Sequence, residues 1–290
     1  MSIRPAFAND PGQGHRPPLA QIIEVMRGTH DRDLSLFDED FLAKSLRRRL
    51  DSTRLAGWPA YLDRLAENGA EAQALCASLN IGYSEFLRDP LAFAVLEQVV
   101  LPGLVRQEPQ SGQAALRVWS AGCAAGQEAW SIAILLEDCS AAHENPVAFR
   151  IFATDSAAAA LTEAREGVYD FASVQQLRLK HLRKYFTVTG DTYRIAAALK
   201  ARVDFSAYDL LATGSSSPPA AIYGDFDLIF CCNLLLYYRP EVRQRILDKL
   251  CHALRPGGYL VTGEAEREIV ARQTGLCGVA PPAAVFQKRK

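Results

Sequence analysis

Between residues 116 and 262 the chain alternates short β-rich runs with stretches of helical spacing, and this alternation constrains its fold more than any other feature. Leu116-Arg117-Val118-Trp119-Ser120 predicts a strand ahead of a helix over about 127–137, and Phe149-Arg150-Ile151-Phe152-Ala153-Thr154 predicts another ahead of a helix beginning near Ala157. Val203-Asp204-Phe205 follows, then Phe226 to Cys231, a helix from Pro240 to Leu254, and a last strand from Gly258 to Thr262. Parallel strands need crossover connections, and helices serving as those connections cover both faces of the sheet. The expected fold is therefore α/β with a Rossmann-like parallel sheet.

The earlier part of the chain reads differently. From Leu19 to about residue 105 the apolar spacing is helical, with Asp38 placed to cap a segment running to about Asp51 and with Gly57, Gly69 and Gly82 as punctuation. Three regions are expected: a flexible leader over 1–17, interrupted by Asp10-Pro11-Gly12 and Pro17-Pro18; a small all-helical domain over 18–105; and the α/β domain over 106–290. The polar stretch Gln107 to Gln113 would link the last two. On the segment after Asp38, Leu42, Leu46 and Leu50 form the buried stripe, while Lys44, Arg47 and Arg48 project from the other side. A hairpin is expected between residues 185 and 204.

Composition sets limits on function. The 32 Lys+Arg against 33 Asp+Glu exclude a global attraction to nucleic acid or to an anionic membrane surface. No run approaches the roughly 18 to 20 apolar residues of a membrane-spanning helix, and Met1 to Pro18 is not signal-like, so a cytoplasmic location without membrane insertion is expected. The seven cysteines, Cys76, Cys123, Cys139, Cys231, Cys232, Cys251 and Cys277, show no metal-ligand spacing and are odd in number. They read as reduced and mostly buried, with no metal site.

The chemistry concentrates after the first strand of the sheet. Val118 to Glu128 runs from strand through the small-residue turn Gly122-Cys123-Ala124-Ala125-Gly126 into a helix, which lets backbone approach a nucleotide-like ligand; tight packing alone would also use such glycines. Asp155 ends the next strand, where a carboxylate either accepts from ribose hydroxyls or caps the following helix. Arg255-Pro256-Gly257-Gly258 reads as a helix stop before a strand.

These features together resemble class I methyltransferases, and four stretches narrow the resemblance to CheR-type chemotaxis receptor methyltransferases: Ser84 to Pro90; Val118 to Ser131; Phe152 to Asp155 with Ala164 to Tyr169; and Phe226 to Tyr238 continuing to Gly263-Glu264. The resemblance implies a protein-glutamate O-methyltransferase using S-adenosylmethionine, with S-adenosylhomocysteine as product and the cytoplasmic helices of chemotaxis-type receptors as acceptor. It assigns Arg88 and Tyr237 to catalysis. It places Ser84, Arg88, Gly122, Cys123, Gly126, Glu128 with Gln127, Asp155, Asp209, Leu210, Asn233 and Leu234 around the cofactor, and it gives Lys44, Arg47 and Arg48 to receptor docking. The chain departs from the family where Gln127 replaces a common glutamate, where Gly82-Tyr83-Ser84 replaces Asn-x-Thr, and where Cys232 replaces an arginine. Cys232 keeps two alternatives open: another protein or small-molecule acceptor, or a silent cofactor-binding sensor. The sequence fixes neither the oligomeric state nor a regulatory ligand.

Overall fold

The computed structural model describes residues 16–80, 82–111, 115–144, 146–221 and 224–289, with side chains omitted for 107–111. Most of the expected leader, residues 1–15, lies outside the described residues. The described chain falls into two compact units, one formed by the residues ahead of Gly82 together with Tyr237–Arg239, the other by Gly82–Leu236 and the residues from Pro240 onward.

The first unit packs four helices, α1 (Leu19–His30), α2 (Glu39–Thr53), α3 (Trp58–Glu67) and α4 (Gly69–Leu79). Asp38 caps α2 by accepting from the Asp40 and Phe41 N–H groups at 3.1 and 3.2 Å, as its position predicts. Leu42 and Leu46 bury with Ile22, Met26, Tyr61, Leu65 and Leu75, and half-buried Leu50 packs against them. Lys44, Arg47 and Arg48 are exposed on the other face of α2. The distant segment Tyr237–Arg239 joins this unit by pairing backbone with it: Asp38 N donates to Tyr237 O at 2.9 Å and Arg239 N to Leu36 O at 3.0 Å. Tyr238 stacks on Phe37 and Tyr237 tilts onto Phe41.

The second unit begins with a helical run that the sequence divides elsewhere. Helix α5 (Pro90–Val95), a π-helical stretch Leu96–Val100 and α6 (Leu101–Ser111) are consecutive. Their Phe93, Leu96, Val100, Leu104 and Val105 side chains belong to the core that also buries Leu116, Val118 and Ile151. Apolar burial against the sheet therefore carries residues 82–105 into the larger unit, and the compact units divide ahead of Gly82 rather than at 105. The expected linker is helical through Ser111, and 112–114 lie outside the described residues.

After α6 come β1 (Leu116–Ala121), α7 (Gln127–Ala141), β2 (Phe149–Asp155), α8 (Ala158–Glu166), β3 (Val168–Asp170), α9 (Phe171–Val174), α10 (Leu179–Tyr185), β4 (Phe186–Thr189), β5 (Thr192–Ile195), α11 (Ala197–Lys200), β6 (Val203–Ala207), β7 (Phe226–Cys231), α12 (Pro240–Ala253), β8 (Leu254–Thr262), α13 (Arg267–Val270), β9 (Leu276–Gly278) and β10 (Val285–Lys288). Seven strands form one sheet in the order β6-β2-β1-β7-β8-β10-β9. β1 lies parallel to both β2 and β7, with Trp119 level with Phe152 and Ile229. The strand order reverses there, so the carboxyl ends of β1, β2 and β7 open the crevice where Rossmann-like folds hold ligands.

Two parts of the sheet correct the sequence reading. β10 runs antiparallel to β8 and β9, so the sheet is mixed; the three- and four-residue strands at this edge are too short to register as a pattern. β8 starts at Leu254 instead of Gly258, because the Pro-Gly-Gly turn is absorbed as an irregularity between the Phe226–Leu254 and Leu228–Tyr259 pairs. The expected hairpin is present as β4–β5, and with β3 it makes a separate three-stranded antiparallel sheet. All seven cysteines are free, but only Cys123 and Cys231 are buried, fewer than expected. Among the described residues no helix is long and apolar enough to cross a membrane.

Glu71 anchors the helical unit. Its buried carboxylate accepts from Arg49 Nε and Nη2, each at 2.7 Å, and from the Tyr61 hydroxyl at 3.1 Å. Truncation strands a guanidinium and a phenol together. Glu71→Ala should therefore lower stability by about 3 kcal/mol in chemical denaturation. Arg150→Ala, which breaks an exposed pair with Asp204, should cost no more than about 1 kcal/mol.

Candidate active site

The turn between β1 and α7 is held from several sides. Gly122 N and Cys123 N both donate to Thr154 O, at 2.8 and 2.9 Å, so the turn is tied to the end of β2. Gly122 (φ +83°), Ala124 (φ +46°) and Gly126 (φ +91°) adopt left-handed backbone. A Cβ on Gly122 would lie 2.6 Å from Leu234 Cδ1, and one on Gly126 would lie 2.9 Å from Ala164 Cβ and 3.1 Å from its Cα, so conformation favours glycine at both positions and space requires it at Gly126. The Tyr169 hydroxyl donates to Ala125 O at 2.8 Å.

Asp155 does not cap α8, whose N-cap Ala157 has no side-chain cap, but its carboxylate makes two other backbone contacts. Its Oδ1 accepts from Ala157 N at 2.8 Å ahead of α8, and its Oδ2 accepts from Ala124 N at 2.9 Å, pinning the glycine turn. Each oxygen keeps capacity for a second donor, so these contacts do not exclude a ligand. Tyr208 N donates to Asp155 O at 3.1 Å, which brings the Asp209-Leu210 segment to the same edge. There Asp209 is exposed and accepts from Leu211 N at 2.8 Å, and Leu210 is buried.

Glu128, in the first turn of α7, accepts from Ser120 Oγ at 2.6 Å. Burial pushes its carboxyl up to about 7, with neighbouring Glu266 adding to the rise, while Ser120, the Cys232 thiol and the charge of Arg88 act against it. Arg88 is itself exposed, with its guanidinium 5.1 Å from the centroid of the Tyr83 ring and Nη1 donating to Tyr83 O at 3.2 Å. Cys232 supplies no charge, because burial raises its thiol well above the usual range.

Glu266 was not singled out from the sequence. Fully buried, it accepts from Asn233, Leu234, Leu235 and Gly263 N–H groups at 2.6 to 2.9 Å, and so holds the loop after β7 to the end of β8. Asn233 is left-handed (φ +56°), and a Cβ on Gly263 would meet Asn233 Nδ2 at 2.6 Å. The available signal was a glutamate three residues after Gly263, the spacing at which a carboxylate reaches back to a cap N–H. Ser120 was missed as well, since a serine inside a strand carries no pattern.

The larger unit thus gathers Gly122, Cys123, Gly126, Gln127, Glu128, Asp155, Asn233 and Leu234 at the carboxyl ends of β1, β2 and β7, with half-buried Ser84 and exposed Arg88 in the segment ahead of α5. Tyr237, Lys44, Arg47 and Arg48 belong to the helical unit. The donor set fits an adenosyl ligand with a cationic amino-acid tail. Its features are a cradle that a Cβ would fill, a carboxylate at Asp155, a half-buried carboxyl at Glu128, and a Gln127 Oε1 that is buried with no partner among the described residues.

Comparison with known proteins agrees with this geometry. The family model for the CheR methyltransferase S-adenosylmethionine-binding domain matches residues 83–276. The chemotaxis protein methyltransferase of Escherichia coli is 32% identical over 233 residues, covering 78% of this chain and 76% of that protein. Chemotaxis protein methyltransferase 1 of Pseudomonas aeruginosa is 32% identical over 204 residues, covering 69% and 71%. A 104.1 kDa protein of Rhodobacter capsulatus is 30% identical over 248 residues, 86% of this chain, which spans only 25% of that relative. The chain belongs to the CheR methyltransferase family, and its sheet unit contains that family's S-adenosylmethionine-binding domain.

Proposed function

We propose that this methyltransferase esterifies glutamate side chains on the cytoplasmic helices of chemotaxis-type receptors. The observation that carries the reading is the similarity to chemotaxis protein methyltransferases across more than three quarters of both chains. The cofactor, when bound, supplies an electrophilic methyl group on a sulfonium. An acceptor glutamate is already ionised at neutral pH, so the protein needs no strong base and contributes alignment and fixed charge. Arg88 offers a planar pair of donors for a carboxylate. Tyr237 orients the acceptor through its hydroxyl, Glu128 receives the cofactor's ammonium and Asp155 its ribose. Lys44, Arg47 and Arg48 meet acidic receptor helices. The same transfer to a different acceptor is the second reading, favoured by the uncharged Cys232 beside Glu128.

Labelled methyl groups should appear on receptor-containing membranes as base-labile esters. Label confined to another molecule would select the second reading, and cofactor binding without any transfer would leave a sensor. Arg88→Ala and Tyr237→Phe should lower turnover by roughly 100-fold, more than they lower cofactor affinity; unchanged turnover at saturating acceptor would remove them from the reaction.

Cofactor affinity should fall as pH drops below about 7, approaching a factor of about ten per pH unit, because the neutral Glu128 carboxyl no longer holds an ammonium. Glu128→Gln should flatten that dependence in calorimetric titrations. In the unliganded protein the raised Glu128 value favours folding below its ordinary 4.5, and that contribution is lost as pH rises through about 7. The denaturation midpoint of Glu128→Gln should accordingly fall less than that of the wild type between pH 5 and 8. Reversing Lys44, Arg47 and Arg48 to glutamate should weaken methylation of the acceptor and spare cofactor binding.

A further inference from the structure

β1 buries a hydroxyl among apolar side chains. The strand is buried from Val118 to Ala121, and Ser120 within it is 0% exposed. Alternation along the strand turns Trp119 toward Thr154, whose Oγ1 accepts from the indole Nε1 at 2.9 Å. Ser120 points to the opposite face with Val118, which shares a core with Ala129 and Ile132 of α7. Burying a hydroxyl costs stability unless it is hydrogen-bonded, and alanine has nearly the same shape without that cost. The Ser120 Oγ donates to Glu128 Oε1 at 2.6 Å, and this is its one hydrogen bond among the described residues. The bond joins the end of β1 to the first turn of α7 across the whole glycine turn.

The other charged and titratable groups that act on Glu128 do less to hold its charge. Arg88, ahead of α5, is exposed to solvent that screens it. Cys123 in the glycine turn, Cys231 at the end of β7 and Cys232 after it are thiols whose ionisation desolvation suppresses. Of these, Cys232 donates to Glu128, and a thiol is a weak donor. Glu266, after β8, is a second carboxyl and opposes the charge. Held by the serine at one oxygen, the Glu128 carboxylate has its plane fixed and keeps lone pairs for a ligand's donors.

We propose that Ser120 is a positioning residue of the cofactor site, its hydroxyl fixing the Glu128 carboxylate for the cofactor's ammonium. The proposal rests on the reading that Glu128 receives that ammonium. Ser120 has no exposed surface for a ligand to touch, so it acts through Glu128. A donor on the ionised form also favours ionisation, so removing the hydroxyl raises the pH at which Glu128 loses its proton. The neutral acid holds a cation poorly. The loss of affinity is therefore largest at low pH and disappears where Glu128 is ionised with or without the serine.

The test labels the glutamate carboxyls of the full chain with ¹³C and follows the Glu128 resonance, assigned by its absence in Glu128→Gln, through a pH titration without cofactor. Calorimetry then gives the affinity for S-adenosylhomocysteine across the same pH range. Glu128 in Ser120→Ala should titrate about one pH unit above the wild type. The affinity of Ser120→Ala should be about fivefold weaker at neutral pH and equal to the wild type's about two pH units higher. In a Glu128→Gln background the same substitution should change affinity by less than about twofold. A Glu128 titration unmoved by Ser120→Ala, or an affinity loss of the same size at every pH, would overturn the proposal. Wild-type affinity in Glu128→Gln at every pH would overturn the reading on which it rests, and the proposal with it, while the cofactor-free titration still reports the hydrogen bond separately.

Discussion

The larger unit depends on how the chain leaves β1. Between Ala121 and Gln127 the backbone must reverse into α7 while lying over the ends of β2 and β7, and a left-handed path with no side chain at Gly122 and Gly126 leaves room for Leu234 and Ala164. Thr154 O takes two N–H groups of the turn and the Asp155 carboxylate takes a third. The same contacts that make the bend stable thus fix the rim of the crevice at the carboxyl ends of β1 and β2, so fold and candidate site share one set of hydrogen bonds.

Three acids, two buried and one half-buried, show how differently such groups can be handled around this sheet. Asp227 accepts from Arg117 N and faces the Arg255 guanidinium, so its charge is met by the protein. Glu266 is met by four backbone N–H groups, a neutral cradle that trades hydrogen bonds for water. Glu128 has one serine and one thiol, with the exposed Arg88 as the attractive charge acting on it. The first two acids are thus met within the protein, while the third has the fewest partners, which is what its proposed role toward the cofactor requires.

Much of this was legible in advance where local pattern and tertiary role agree. Phe226 to Cys231 is apolar apart from Asp227 because it is buried on both faces, and Asp38 was readable as a cap because the N–H groups it serves are two and three residues away. The glycine turn and Asp155 were readable as a pair, although only the structure shows that Asp155 also pins the turn. What escaped depends on partners distant in sequence. Glu266 serves backbone 31 to 33 residues earlier, as well as Gly263 nearby, and Tyr237–Arg239 packs with helices some 200 residues before it. The division into compact units ahead of Gly82 was not legible for the same kind of reason, since helical spacing over 90–105 cannot say which core receives the apolar face.

The Cys232 departure has a physical consequence that does not depend on the identity of the acceptor. An arginine there would bring a permanent charge to the neighbourhood of Glu128, holding that carboxyl ionised whether or not a ligand were bound. The Cys232 thiol cannot do so, because its own ionisation is suppressed by desolvation and by Glu128 and Glu266. If Glu128 receives the cofactor's ammonium as proposed, the compensating cation comes from the ligand, and its binding is coupled to deprotonation of Glu128.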